Sequence, residues 1–112
     1  MSNKKLREEL IELLFRTLHK YLEKQGRKIV SMTKATGQRS VKIALRGLFW
    51  FYESNIPEYP KLTHLVEEIL NNSALKEKLE SLGFKIIIYD GEYYIETSVK
   101  KIMEFMEEEN RS

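Results

Sequence analysis

No cysteine occurs among the 112 residues, so disulfides, zinc–thiolate centres and thiol nucleophiles are all excluded. Glycine is sparse, and Gly37 stands alone in the run ATGQRS, so there is neither a P-loop nor a dinucleotide fingerprint. The two prolines, Pro57 and Pro60, fall in one short stretch that reads as a loop. No apolar run approaches the roughly 20 residues that cross a bilayer. The opening MSNKKLREEL also lacks the uninterrupted apolar stretch of a secretory signal. A soluble, cytoplasmic protein with no membrane partner is the expectation.

Histidine is nearly as scarce. His19 and His64 lie on different predicted helices, and each has only one carboxylate four residues on, Glu23 and Glu68. A metal held from one helix face needs more ligands than that. The acidic residues of the second half are spread along helix faces rather than converging. No catalytic residue, metal ligand or cofactor is assigned, and the expectation is a protein that is not an enzyme.

What is present suits one small domain over residues 1–112. Hydrophobic residues make up 42%, enough for one core. Charged residues make up 32%, against roughly 25% in ordinary soluble domains. Lys and Glu supply most of the excess, a bias shared with heat-adapted proteins. The net charge of +2 conceals a strong asymmetry. Residues 1–50 hold 12 Lys or Arg against 4 Glu, a net +8, whereas residues 51–112 hold 7 against 13, a net −6. From Lys24 through Arg46 there are seven basic residues and no acidic one. Such a segment suits phosphates or an acidic partner.

Periodicity sets the expected elements. Leu6, Leu10, Leu13, Leu14, Leu18, Tyr21 and Leu22 fall on one side of a helix over 3–25, with Gly26 as its stop. Residues 27–39 read as a basic connector. Ser40 is the expected N-cap of a helix over 40–54, with Val41, Ala44, Leu45, Leu48 and Tyr52 on one face. The aromatic run Phe49–Tyr52 wraps around that helix, so it is either buried on several sides or exposed for a partner. Helices follow over 60–71, with Pro60 in the first turn, and over 73–83, capped by Ser73 and stopped at Gly83. FKIIIY and EYYIET flank Asp90-Gly91, which predicts a type I′ hairpin over 84–97. Ser98 then caps a helix over 98–109. The fold class is α+β and mostly helical, with Leu10, Leu14, Leu45, Leu48, Leu65, Ile69, Leu79 and Ile86 in the core.

The basic segment is the candidate binding surface. Arg27, Lys28, Lys34, Arg39, Lys42 and Arg46 supply cations around the turn, and Gln38 and Ser40 supply hydrogen-bonding groups for phosphates or base edges.

The stretch LVEEILNNSALKEKLESLGFKIIIYDGEYYIE orders two helices and a hairpin as the winged-helix class of helix-turn-helix domains does. The resemblance covers about half of the chain and rests on pattern. It implies a winged-helix-like domain flanked by N- and C-terminal helices, the hairpin forming the wing. A second register, MTKATGQRSVKIALRGL, resembles the turn and recognition helix of simple helix-turn-helix proteins, and a third makes residues 28–45 a basic hairpin arm. Lys76 and Lys78 are balanced by Glu77 and Glu80, and the wing carries Asp90, Glu92 and Glu96 against Lys85. Charge therefore places the contact surface within 27–46 in every register.

The functional expectation is a small nucleic-acid-binding protein, on duplex DNA rather than RNA, with a regulatory or chromatin-type role. The alternative is a protein-interaction subunit of a replication or transcription assembly, docking through Phe49–Tyr52 or the acidic half. Trp50, Phe51, Met103 and Met106 beside Phe105 make a homodimer the expected assembly.

Overall fold

A computed structural model describes the backbone over residues 2–111 and the side chains over residues 8–107. The first helix, α1, is far longer than its sequence predicts, running Ser2–Thr36. Gly26 does not stop it. A Cβ at that position would lie 2.7 Å from the sulfur of Met106, so the glycine lets a second helix approach closely. Ile29, Val30 and Thr33 extend the packed face beyond it. Burial outweighs the roughly 1 kcal/mol that glycine costs inside a helix. The true stop is Gly37, at φ +74°. Gln38 N donates to Thr33 O at 3.0 Å and Gly37 N to Lys34 O at 3.3 Å, which closes the helix in a Schellman motif.

The expected helix over 40–54 is instead a strand, β1 (Ser40–Ala44), followed by a 3-10 segment, Leu45–Phe51. Val41 and Leu45 satisfy both a helical and an alternating period. Ile43 decides between them, because Val41 and Ile43 are buried while Lys42 is exposed. Ser40 is accordingly the first strand residue, opposite Ser98, and caps no helix.

Two short helices follow, α2 (Leu62–Asn71) and α3 (Ser73–Ser81). Pro60 precedes α2 instead of entering its first turn. Asn72, not Ser73, caps α3, because its side-chain oxygen accepts from Ala74 N at 3.1 Å and Leu75 N at 3.2 Å. Gly83 ends α3 at φ +96°. Strands β2 (Lys85–Tyr89) and β3 (Glu92–Ser98) form the hairpin, and Asp90 and Gly91 both have positive φ, as a type I′ turn requires. Ser98 Oγ accepts from Lys101 N at 3.0 Å and so caps α4 (Val99–Arg111).

The antiparallel sheet has the order β1–β3–β2. One face, built from Val41, Ile43, Ile86, Ile95 and Thr97, packs into the core, and the eight expected core residues are all buried. Phe15 of α1, Phe84 and Phe105 of α4 meet with ring centroids 5.0–5.2 Å apart. That cluster ties the long helix to the α3–β2 junction and to the last helix. Thr97 Oγ1 donates to Gly83 O at 2.7 Å and fixes the same junction to β3.

Candidate nucleic-acid interface

The Schellman stop turns the chain sharply, so β1 begins beside the last turns of α1. A groove of about 450 Å³ opens there, lined by Ile29, Met32 and Thr33 from α1 and by Gln38, Arg39, Ser40, Val41 and Lys42. Four of the eight residues expected to bind are thus brought together along one wall: Gln38, Arg39, Ser40 and Lys42. Ser40 and Lys42 project to the exposed side because strand alternation sends Val41 and Ile43 inward. Lys28, one helical turn before Met32, shares the groove's side of α1. Arg27 and Lys34 are seven residues apart and follow another line of the same helix, away from the groove.

Arg46 does not belong to this group. It lies past the far end of β1 and pairs with Glu92 at 3.0 Å. Among the described residues no ion pair engages Arg27, Lys28, Lys34, Arg39 or Lys42. Lys42 does face Glu96 across the β1–β3 register, and Glu96 faces Lys85 across β2–β3. Lys42, Glu96 and Lys85 therefore form a row with a net single positive charge.

A second groove, about 440 Å³, shares Ser40 with the first and is lined by Glu80, Gly83, Phe84, Lys85, Glu96, Thr97 and Ser98. Its two carboxylates against one lysine make it electrostatically unlike its neighbour, whose lining carries Arg39 and Lys42 and no acid. The hairpin tip lies at the opposite end of the sheet, since Ala44 aligns with Tyr94 while Ser40 aligns with Ser98. The basic groove and the acidic hairpin tip are thus separated by the length of a strand.

The sequence did not single out Ile29, Met32 and Thr33 as lining residues, because a helix ending at Gly26 excluded them. Lys100 was missed as well. Val99 N donates to Arg39 O at 2.9 Å, which sets the start of α4, with exposed Lys100, next to the turn. Its signal was the Lys100-Lys101 pair following a capping serine, hidden inside an acidic half.

The aromatic run divides. Trp50 is 90% exposed and Phe49 48%, while Phe51 and Tyr52 are half-buried. Phe51 meets the edge of Tyr21 at 5.9 Å. Phe105 and Met106, expected at a dimer face, are spent on α1: Phe105 is buried, and Met106 covers Gly26. His19 stacks on Phe105 at 4.1 Å, and His64 is exposed. Among the described residues no helix is long and apolar enough to cross a membrane. Comparison with family models, curated protein sequences and solved structures returns no match for this chain.

Proposed function

We propose that this chain is a winged-helix-like nucleic-acid-binding domain that holds duplex DNA in a regulatory or chromatin-type role. The reading rests on one observation above all: Arg39 and Lys42 line a groove without a carboxylate, beside Gln38 and Ser40. Cations draw the phosphates in, and the hydroxyl and amide side chains fix register along the backbone. The succession of α2, α3 and a hairpin, with α3 passing directly into the sheet through Gly83, is in keeping with the winged-helix likeness. The contact surface is the α1–β1 groove and not α3 or the wing tip, where Glu77, Glu80, Asp90 and Glu92 repel phosphate. The readings that made MTKATGQRSVKIALRGL a turn and recognition helix, or residues 28–45 a hairpin arm, fall with the helical course of α1 and the strand at β1.

The test is a fluorescence-anisotropy titration with duplex DNA at two salt concentrations. Each phosphate contact contributes about 0.9 to the slope of log affinity against log salt, so replacing Arg39 and Lys42 by Ala should flatten it by about 2. Lys85→Ala should change affinity much less, because Lys85 lies outside this groove, in the one lined by Glu80 and Glu96. Absence of binding at low salt, or binding that the double variant leaves intact, overturns the proposal.

A protein-interaction subunit is the second reading, favoured by Trp50. An indole 90% exposed beside a half-exposed phenyl ring is the kind of aromatic anchor that fills a partner's pocket. On that reading the basic groove docks an acidic protein surface, and failure of the DNA titration favours it.

A further inference from the structure

The open edge of β2 is the least protected backbone in the sheet. The order β1–β3–β2 leaves two edges. On β1 the edge carries Lys42 at its centre, and charged residues discourage strand addition. On β2 the strand reads Lys-Ile-Ile-Ile-Tyr, with Ile88 63% exposed and Tyr89 71% exposed. Its single charge is Lys85, at the end.

The register of the hairpin fixes which backbone groups face outward. Tyr89 and Glu92 flank a two-residue turn and exchange both backbone hydrogen bonds, and alternation gives Ile87–Tyr94 and Lys85–Glu96 the same character. The N–H and C=O groups of Ile86 and Ile88 therefore point to the open edge.

From this geometry we infer that β2 pairs antiparallel with β2 of a second copy, about a two-fold axis at Ile87. In that register Ile86 of each copy faces Ile88 of the other. Both residues turn their backbone groups outward, so these pairs exchange four hydrogen bonds. Ile87 faces its own copy. Lys85 faces Tyr89, on the same side of the sheet as Ile87, which sets an ammonium against an aromatic ring at both ends. Centring the pair on Ile86 leaves Tyr89 without an opposite residue, and centring it on Ile88 places Asp90 against Ile86. Only the Ile87 centre matches all five residues of β2 with one another. The product is a continuous six-stranded sheet, and the self-complementarity is that of an isologous interface. The inference is independent of what the basic groove binds, since the two β1 strands end up at the outer edges.

The absence of cysteine makes the register directly testable. The central pair is of the non-hydrogen-bonded kind, with Cα atoms about 4.5 Å apart, within the reach of a disulfide. Ile87→Cys should form a covalent dimer on mild oxidation. Lys85→Cys and Tyr89→Cys should each fail alone and cross-link when mixed. In sedimentation equilibrium the unaltered chain should associate to a dimer with rising concentration. Ile88→Lys should remain monomeric, with its circular dichroism unchanged because that side chain is exposed in the monomer. Trp50→Ala should still dimerise. The proposal is overturned if the unaltered chain stays monomeric, if Ile88→Lys still dimerises, if Trp50→Ala does not, or if Lys85→Cys alone cross-links as readily as Ile87→Cys.

Discussion

Leu48, Leu65 and Ile69 have no accessible surface, and each falls on a face that periodicity marks out. Deleting buried methylenes removes transfer energy and leaves a cavity, so Leu65→Ala should cost about 2–5 kcal/mol in a urea titration. Residue identity was less informative where chemistry permits two fates. The aromatic run could not say which rings face out, because a 3-10 segment distributes them differently from the helix that was expected. Tyr59 depends on its setting in a similar way. Its hydroxyl donates to Glu68 Oε1 at 2.8 Å. Burial first, then that hydrogen bond and the nearby carboxylates of Glu68 and Glu58, push its pKa up to about 12. The folded state therefore retains a proton that the unfolded chain, with an ordinary tyrosine pKa near 10, gives up. Stability from this contact is complete below pH 10 and is lost as pH rises towards 12. Tyr59→Phe should reduce the loss of stability between those two pH values, measured against the unaltered chain by denaturant melts.

Among the elements, the hairpin was the most legible, since Asp90-Gly91 between β-prone runs allows few alternatives. The helix over 3–25 was found but ended too soon. Gly26 looks like a stop in sequence, and only the packing of Met106 from a helix some eighty residues away reveals that it makes room. Gly26→Val should destabilise by about 1–3 kcal/mol through overpacking, and Met106→Ala in the same chain should recover part of it. A helix stop at positive φ would also disfavour Val, but Met106→Ala would then recover nothing. The strand β1 was misassigned because VKIAL places apolar residues at positions common to both periods. Its pairing partner, β3, lies more than fifty residues on, a long-range contact that no local window contains.

At the scale of the molecule, the charge asymmetry of the sequence acquires an axis. The cations of the turn gather at one end of the sheet, with Arg39 held to the start of α4 through Val99. The hairpin tip, with Asp90 and Glu92, occupies the other end. Four of the eight expected site residues line one groove, Lys28 flanks it, and Arg46 lies away with an acidic partner. The candidate surface was legible from charge alone, whereas its shape required knowing where α1 ends. The most direct test is amide chemical-shift mapping during titration with a short DNA duplex at low salt. Perturbations should centre on residues 38–42, extend to Met32, Thr33 and Lys100, and leave the turn at 89–92 unaffected. Perturbations centred on α3 and the hairpin tip, or none at all at saturating duplex, would contradict the proposed assignment of this groove to nucleic acid.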